Sequence, residues 1–232
     1  MSKNYLIVGG SSGIGLALTK SLVQSHNVWV ASRNKESIQG IPNVRHIPFD
    51  AETDTSIELD TEQLDGLAYC PGTINLKPFN RLKNEDFQKD FQVNVLGAVN
   101  AIQSVLTLLK KAENASIVLF STVAVDQGMA YHASVAASKG AIQGLTKSLA
   151  AEFAPKIRVN CIAPSIVDTP LASRLLGNDE KKEASAKRHP LQKVGTSDDI
   201  AQMAAFLIGE NSQWTTGQIL GVDGGMSSVR ML

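Results

Sequence analysis

The stretch Val8-Gly9-Gly10-Ser11-Ser12-Gly13-Ile14-Gly15 constrains this chain more than any other. It follows the apolar run Tyr5-Leu6-Ile7-Val8 and leads into Leu16, Ala17, Leu18 and Leu22, which have helical spacing. A strand, a glycine turn and a helix, in that order, present backbone N–H groups and a helix N-terminus to a phosphate. Glycines permit the tight turn and let a pyrophosphate approach the backbone. The pattern predicts a nucleotide site built by Gly9, Ser11, Ser12, Gly13, Ile14 and Gly15.

The 232 residues fit a single domain, 1–232, large enough to bury a sizeable core. A formal net charge of zero favours neither nucleic acid nor an anionic membrane surface. The opening Met1-Ser2-Lys3-Asn4 leads into an apolar run too short for a signal-peptide core, and no window is expected to reach the length of a membrane span. Cys70 and Cys161 fall in apolar, strand-like runs and read as buried thiols in a reducing cytosol. The four histidines lack ligand spacing, so no metal is expected.

Strand-like and helix-like segments alternate to the end. Strands are expected near Tyr5–Val8, Asn27–Ala31, Val44–Pro48, Gly66–Cys70, Ser116–Ser121, Arg158–Ile162 and Gln218–Val222. Long helices are expected from about Asn84 to Lys111 and from Ser134 to Phe153. This alternation predicts an α/β fold: a doubly wound, Rossmann-like parallel sheet of about seven strands with helices on both faces. The charged run from Asp179 to Arg188 reads as a solvated, mobile helix.

With these elements in place the chain resembles the short-chain dehydrogenase/reductase family over nearly its whole length. The resemblance rests on the glycine turn, on Asn94 within Phe91-Gln92-Val93-Asn94-Val95, and on Ala137-Ser138-Lys139-Gly140-Ala141. It extends through Ile157-Arg158-Val159-Asn160, Ala163-Pro164, Thr169, Trp214-Thr215-Thr216-Gly217-Gln218 and Val222-Asp223-Gly224-Gly225. The resemblance implies that Asp50, with Ala51 beside it, holds the adenine, that Cys70 and Gly72 line the cofactor, and that Pro164, Val167 and Thr169 border the nicotinamide. Asn94 and Lys139 would belong to the catalytic relay, Lys139 also holding the ribose. It further implies a small-molecule substrate and a homo-oligomer, tetramer or dimer. The extra apolar positions of the first long helix, Phe87, Phe91, Ile102, Val105, Leu106 and Leu109, agree with a second buried face.

The chain departs from the family where the chemistry should be. The family places tyrosine four residues before the helix lysine; here that residue is Val135, which has no proton to give. The family serine maps to Thr122, and the family Asn-Asn-Ala-Gly stands as Tyr69-Cys70-Pro71-Gly72. The helix between the third and fourth strands is expected to be truncated. Hydride transfer to a carbonyl leaves negative charge on oxygen that a positioned acid must neutralise. His132, seven residues before Lys139, shares a helix face with it if the helix reaches that far. In the enoyl-carrier-protein reductase branch a tyrosine stands at that spacing. Tyr131 is the neighbouring alternative, about 80° off the lysine face at ~100° per residue.

At the tip of the second strand stand Ser32 and Arg33, where an acidic residue would repel a 2′-phosphate. A planar cation suits that phosphate, so NADP(H) is expected over NAD(H). Two readings stay open: an oxidoreductase acting on a carbonyl or conjugated enoyl group, or a non-catalytic dinucleotide-binding sensor or scaffold.

Overall fold

The computed structural model describes residues 2–230; Met1, at the head of the opening segment considered above, lies outside them. Seven strands form one sheet: β1 (Asn4–Val8), β2 (Asn27–Ser32), β3 (Val44–Pro48), β4 (Gly66–Tyr69), β5 (Ala115–Phe120), β6 (Ile157–Pro164) and, last in the chain, β9 (Ile219–Val222). Their order is β3-β2-β1-β4-β5-β6-β9, and every pairing is parallel. β5 and β6 are buried along their full length, which accounts for their unbroken apolar reading.

Helices cover both faces. On one face α1 (Gly13–Leu22) packs against α7 (Ser197–Ile208). The other carries α2 (Asn84–Phe91), α3 (Gly97–Leu109) and α5 (Ala133–Phe153). A short α4 (Ala124–Gln127) precedes α5. The sheet order reverses between β1 and β4, which opens a crevice at their carboxyl ends. The glycine turn after β1 and the Cys70-Pro71-Gly72 turn after β4 both face it.

Several expectations need correction. The β3–β4 link contains no helix. It is an extended strap whose Ile57 and Leu64 plug the core beside Trp29. Asp60 fastens it, accepting from Trp29 Nε1 at 2.7 Å and from Arg45 at 2.7 Å. A second, two-stranded ladder joins β7 (Val167–Asp168) to β8 (Gly195–Thr196); strands of two residues leave no periodicity to read.

The helix over Asn84–Leu109 is, contrary to expectation, long and apolar enough to cross a membrane by length and composition. Its apolar content belongs to the core: Ala98, Ala101, Ile102, Val105 and Leu109 pack on the sheet. Of the positions expected on two faces, Ile102, Val105 and Leu109 lie in the core while Phe91 stays exposed. A π-helical turn over Gln92–Leu96 interrupts the helix; Phe91, just before it, and Leu96, its last residue, stay 42% and 41% exposed. The acidic and basic run folds as α6 (Asp179–Ala186), yet its Ser185 is buried, so it is not wholly a solvent face.

Candidate active site

A groove of about 660 Å³ runs over the carboxyl ends of β1 to β4. Its floor is the glycine turn. Gly9 and Gly13 have φ of +75° and +51°, a region side chains rarely adopt. A Cβ at position 15 would collide with the Gly9 carbonyl oxygen. Ser12 caps α1 in position only; its side chain makes no capping bond, and no acid lies in the first turn. The helix therefore offers free N–H groups and a positive dipole end, as an anionic group requires. Ser11 and Ile14 line the same groove.

At its far end the groove is lined by Ser32, Arg33, Asp50 and Ala51. The Ser32 hydroxyl is turned inward, donating to the Asn34 carbonyl at 2.8 Å, and His46 Nε2 lies 3.0 Å from the Ser32 carbonyl oxygen. Arg33 is exposed and has no carboxylate partner among the described residues. Asp50 Oδ1 accepts from the Glu52 N–H at 2.9 Å, which fixes its carboxylate at the groove wall.

A second cavity, about 340 Å³, adjoins the groove. The two share Ile14, Cys70, Gly72, Thr73, Thr169 and Leu171 as a common wall. Thr122, His132, Val135, Lys139, Pro164 and Val167 line the second cavity. Lys139 is 7% exposed, and its Nζ donates to the Phe120 carbonyl at 2.9 Å. Burial pushes its ammonium down to about 8. Burial likewise pushes the Cys70 thiol up to about 12, so it remains neutral. Thr122 Oγ1 accepts from the Ala124 N–H at 3.3 Å and keeps its own hydrogen free. Ser121 instead donates to the Lys139 carbonyl at 3.0 Å and ties β5 to α5.

α5 begins at Ala133, one residue short of His132, which occupies the N-cap position with φ −100° and ψ 11°. His132 nevertheless lines the cavity, with Nδ1 2.8 Å from the Ala130 carbonyl oxygen. Tyr131 lines neither space; it has φ +71° and is 60% exposed. Asn94 sits behind the cavity in the π-helical turn, 1% exposed. Its Nδ2 reaches Thr73 Oγ1 at 2.9 Å, the Asp90 carbonyl at 2.8 Å and Ser138 Oγ at 3.1 Å, while Oδ1 has no partner. A Cβ on Gly72 would stand 3.4 Å from both Asn94 Oδ1 and Lys139 Nζ, so this backbone lies against both groups.

Ser165, Ser185, Arg188 and Met226 complete the wall, and none of the four was singled out in the sequence. These residues lie far apart in the chain, and Arg188 falls in a run that reads as solvated surface.

The chain has a doubly wound, Rossmann-like α/β fold with an open groove at the carboxyl ends of its strands. Residues 9–227 match the family described as Enoyl-(Acyl carrier protein) reductase. The chain is 32% identical over 241 residues to 3-oxoacyl-(acyl-carrier-protein) reductase FabG of Thermotoga maritima, with 97% of each chain covered. It is 32% identical to carbonyl reductase family member 4 of Danio rerio, over 97% of this chain and 98% of that one. Among solved structures, ElxO with NADP bound superposes with a TM-score of 0.87 at 27% identity, covering 99% of this chain and all of that one. The TT0495 protein of Thermus thermophilus gives 0.88 at 28%, covering 99% of this chain and 100% of that one. The chain belongs to the short-chain dehydrogenase/reductase family of oxidoreductases.

Proposed function

We propose that the protein is a cytosolic NADP(H)-dependent reductase in which His132 replaces the family's active-site tyrosine as proton donor. Its substrate is a small molecule with a carbonyl or conjugated enoyl group, and its unit is one domain in a homo-oligomer. The observation that carries the reading is the common wall of groove and cavity, with Lys139, Thr122 and His132 lining the cavity side. The uncapped N-terminus of α1 and a glycine turn with no room for a Cβ at position 15 fit a dinucleotide pyrophosphate. A solved relative carries NADP, and the unpaired Arg33 suits a 2′-phosphate.

When bound, the nicotinamide supplies a hydride to the substrate carbon. The chain's own residues handle the proton. Thr122 donates a hydrogen bond to the substrate oxygen and orients it. As the carbonyl π pair moves onto oxygen, that oxygen takes a proton from Nε2 of doubly protonated His132. Lys139 holds the ribose, and neutral His132 regains its proton from solvent at the exposed helix start. Val135 leaves the space beside the nicotinamide for a group arriving from the N-cap. Following the reduced-cofactor absorbance against aldehydes, ketones, quinones and enoyl thioesters tests the reading. Cofactor binding without any turnover would favour a dinucleotide-binding sensor or scaffold instead.

A further inference from the structure

The second cavity holds one cation that the reductase reading does not use. Arg188 follows α6 and lines the cavity, but does not line the cofactor groove. Its Nη2 lies 3.1 Å from Ser185 Oγ, and Ser185 is 4% exposed. The guanidinium has five N–H donors, so most of them remain uncommitted. Three nearby cations are paired. Lys182 pairs with Asp168 at 2.8 Å, Lys187 with Glu183 at 2.7 Å and Lys193 with Asp199 at 3.2 Å. Among the described residues no carboxylate pairs with Arg188, and none lines the cavity.

The turn that carries Arg188 is held from behind. The Arg188 N–H donates to the Ser185 carbonyl at 3.2 Å. His189, 2% exposed, donates through Nδ1 to the same carbonyl at 2.8 Å and contacts Ser165 Oγ through Nε2 at 2.9 Å. The cavity also has an extensive apolar lining, which includes Ile74, Leu76, Leu171, Leu175, Met129 and Met226.

We propose that the cavity takes a substrate with an apolar chain ending in a carboxylate, bound by Arg188 and Ser185. This names the substrate class of the reductase site and rests on that reading. A planar guanidinium matches a carboxylate in two-point geometry, and one cation with one hydroxyl balances a single negative charge. A phosphate dianion carries two charges, one more than the single guanidinium of exposed Arg188 matches.

The test is equilibrium binding of octanoate, octanol and octyl phosphate to the protein, with and without NADP⁺. Octanoate is expected to bind at least about tenfold more tightly than octanol, as a charge-assisted contact requires. Arg188→Met should abolish that preference, and Arg188→Lys should keep part of it. Melting temperature and cofactor affinity report whether the variants fold. Equal affinity for acid and alcohol, a preference that survives Arg188→Met, or tighter binding of octyl phosphate would each overturn the proposal. Reduction of the corresponding ω-oxo acid is followed separately. Arg188-dependent octanoate binding with no turnover of that acid would sink the reductase reading alone and support the carboxylate site.

Discussion

The Nδ1 of His132 lies 2.8 Å from the carbonyl oxygen of Ala130. A carbonyl oxygen only accepts, so Nδ1 carries the hydrogen and Nε2 is the nitrogen left for the cavity. The ring therefore gives up a proton from Nε2 only in its doubly protonated form. The same contact holds the ring in place at a helix start that has no side-chain capping bond.

In the proposed NADP(H) site the 2′-phosphate falls to Arg33, because the Ser32 hydroxyl is committed to the Asn34 carbonyl. Arg33→Ala should weaken NADPH binding by about tenfold or more, the scale of a charge-assisted contact, and change NADH binding little. Titration of both cofactors against both proteins checks this. Equal losses for the two cofactors would remove Arg33 from the 2′-phosphate.

Val135 is 6% exposed and faces the cavity one turn before Lys139. Val135→Tyr places a phenol where the family carries one. The variant should gain carbonyl reductase activity and make His132 dispensable, so the double variant with His132→Ala should remain active. An inactive Val135→Tyr protein that still binds cofactor would show that Asn94, Thr122 and Lys139 no longer form a working relay.

Burial lowers the Lys139 ammonium from 10.5 to about 8. Between those values the unfolded chain holds a proton that the folded chain has lost, so folding is favoured as pH rises. This contribution is full above 10.5 and is lost as pH falls to about 8. The stability of the wild type relative to Lys139→Met should therefore climb across this window, by at most about 1.4 kcal/mol per pH unit. Urea midpoints of the two proteins measure it. A difference that stays flat with pH would contradict the burial of the charge.

Much of the fold was legible because parallel strands buried on both faces read as continuous apolar runs, as β5 and β6 do. The glycine turn was legible because its backbone conformation admits few other residues. The π-helical turn was not, since one extra residue between Phe91 and Leu96 leaves the apolar pattern intact. The strap with Ile57 and Leu64 reads as truncated helix because its fastening, Asp60 to Trp29 and Arg45, is made in space. In the site, Gly9 to Gly15 followed from the strand–turn–helix frame, and Lys139 and Thr122 from the family resemblance. The choice between His132 and Tyr131 depended on where α5 begins, which composition near a helix start does not decide. Arg188 carried no signal because a cation in a charge run looks the same whether it faces water or a cavity.

Phe91 precedes the π-helical turn and Leu96 ends it, and the i to i+5 spacing brings residues five apart toward one side of the helix. Both remain exposed in the isolated subunit, and a second copy would cover them. Sedimentation should give a dimer or tetramer, and Phe91→Asp combined with Leu96→Asp should lower the mass. A monomer at micromolar concentration would contradict the homo-oligomer.

The role of His132 is tested most directly by the steady-state rate of NADPH-dependent reduction in wild type and His132→Ala, with cofactor affinity titrated in both. The account predicts a loss in kcat of about 10²–10⁴-fold with cofactor affinity little changed. Undiminished turnover in His132→Ala, with loss of turnover in Tyr131→Phe, would contradict it and move the proton donor to Tyr131.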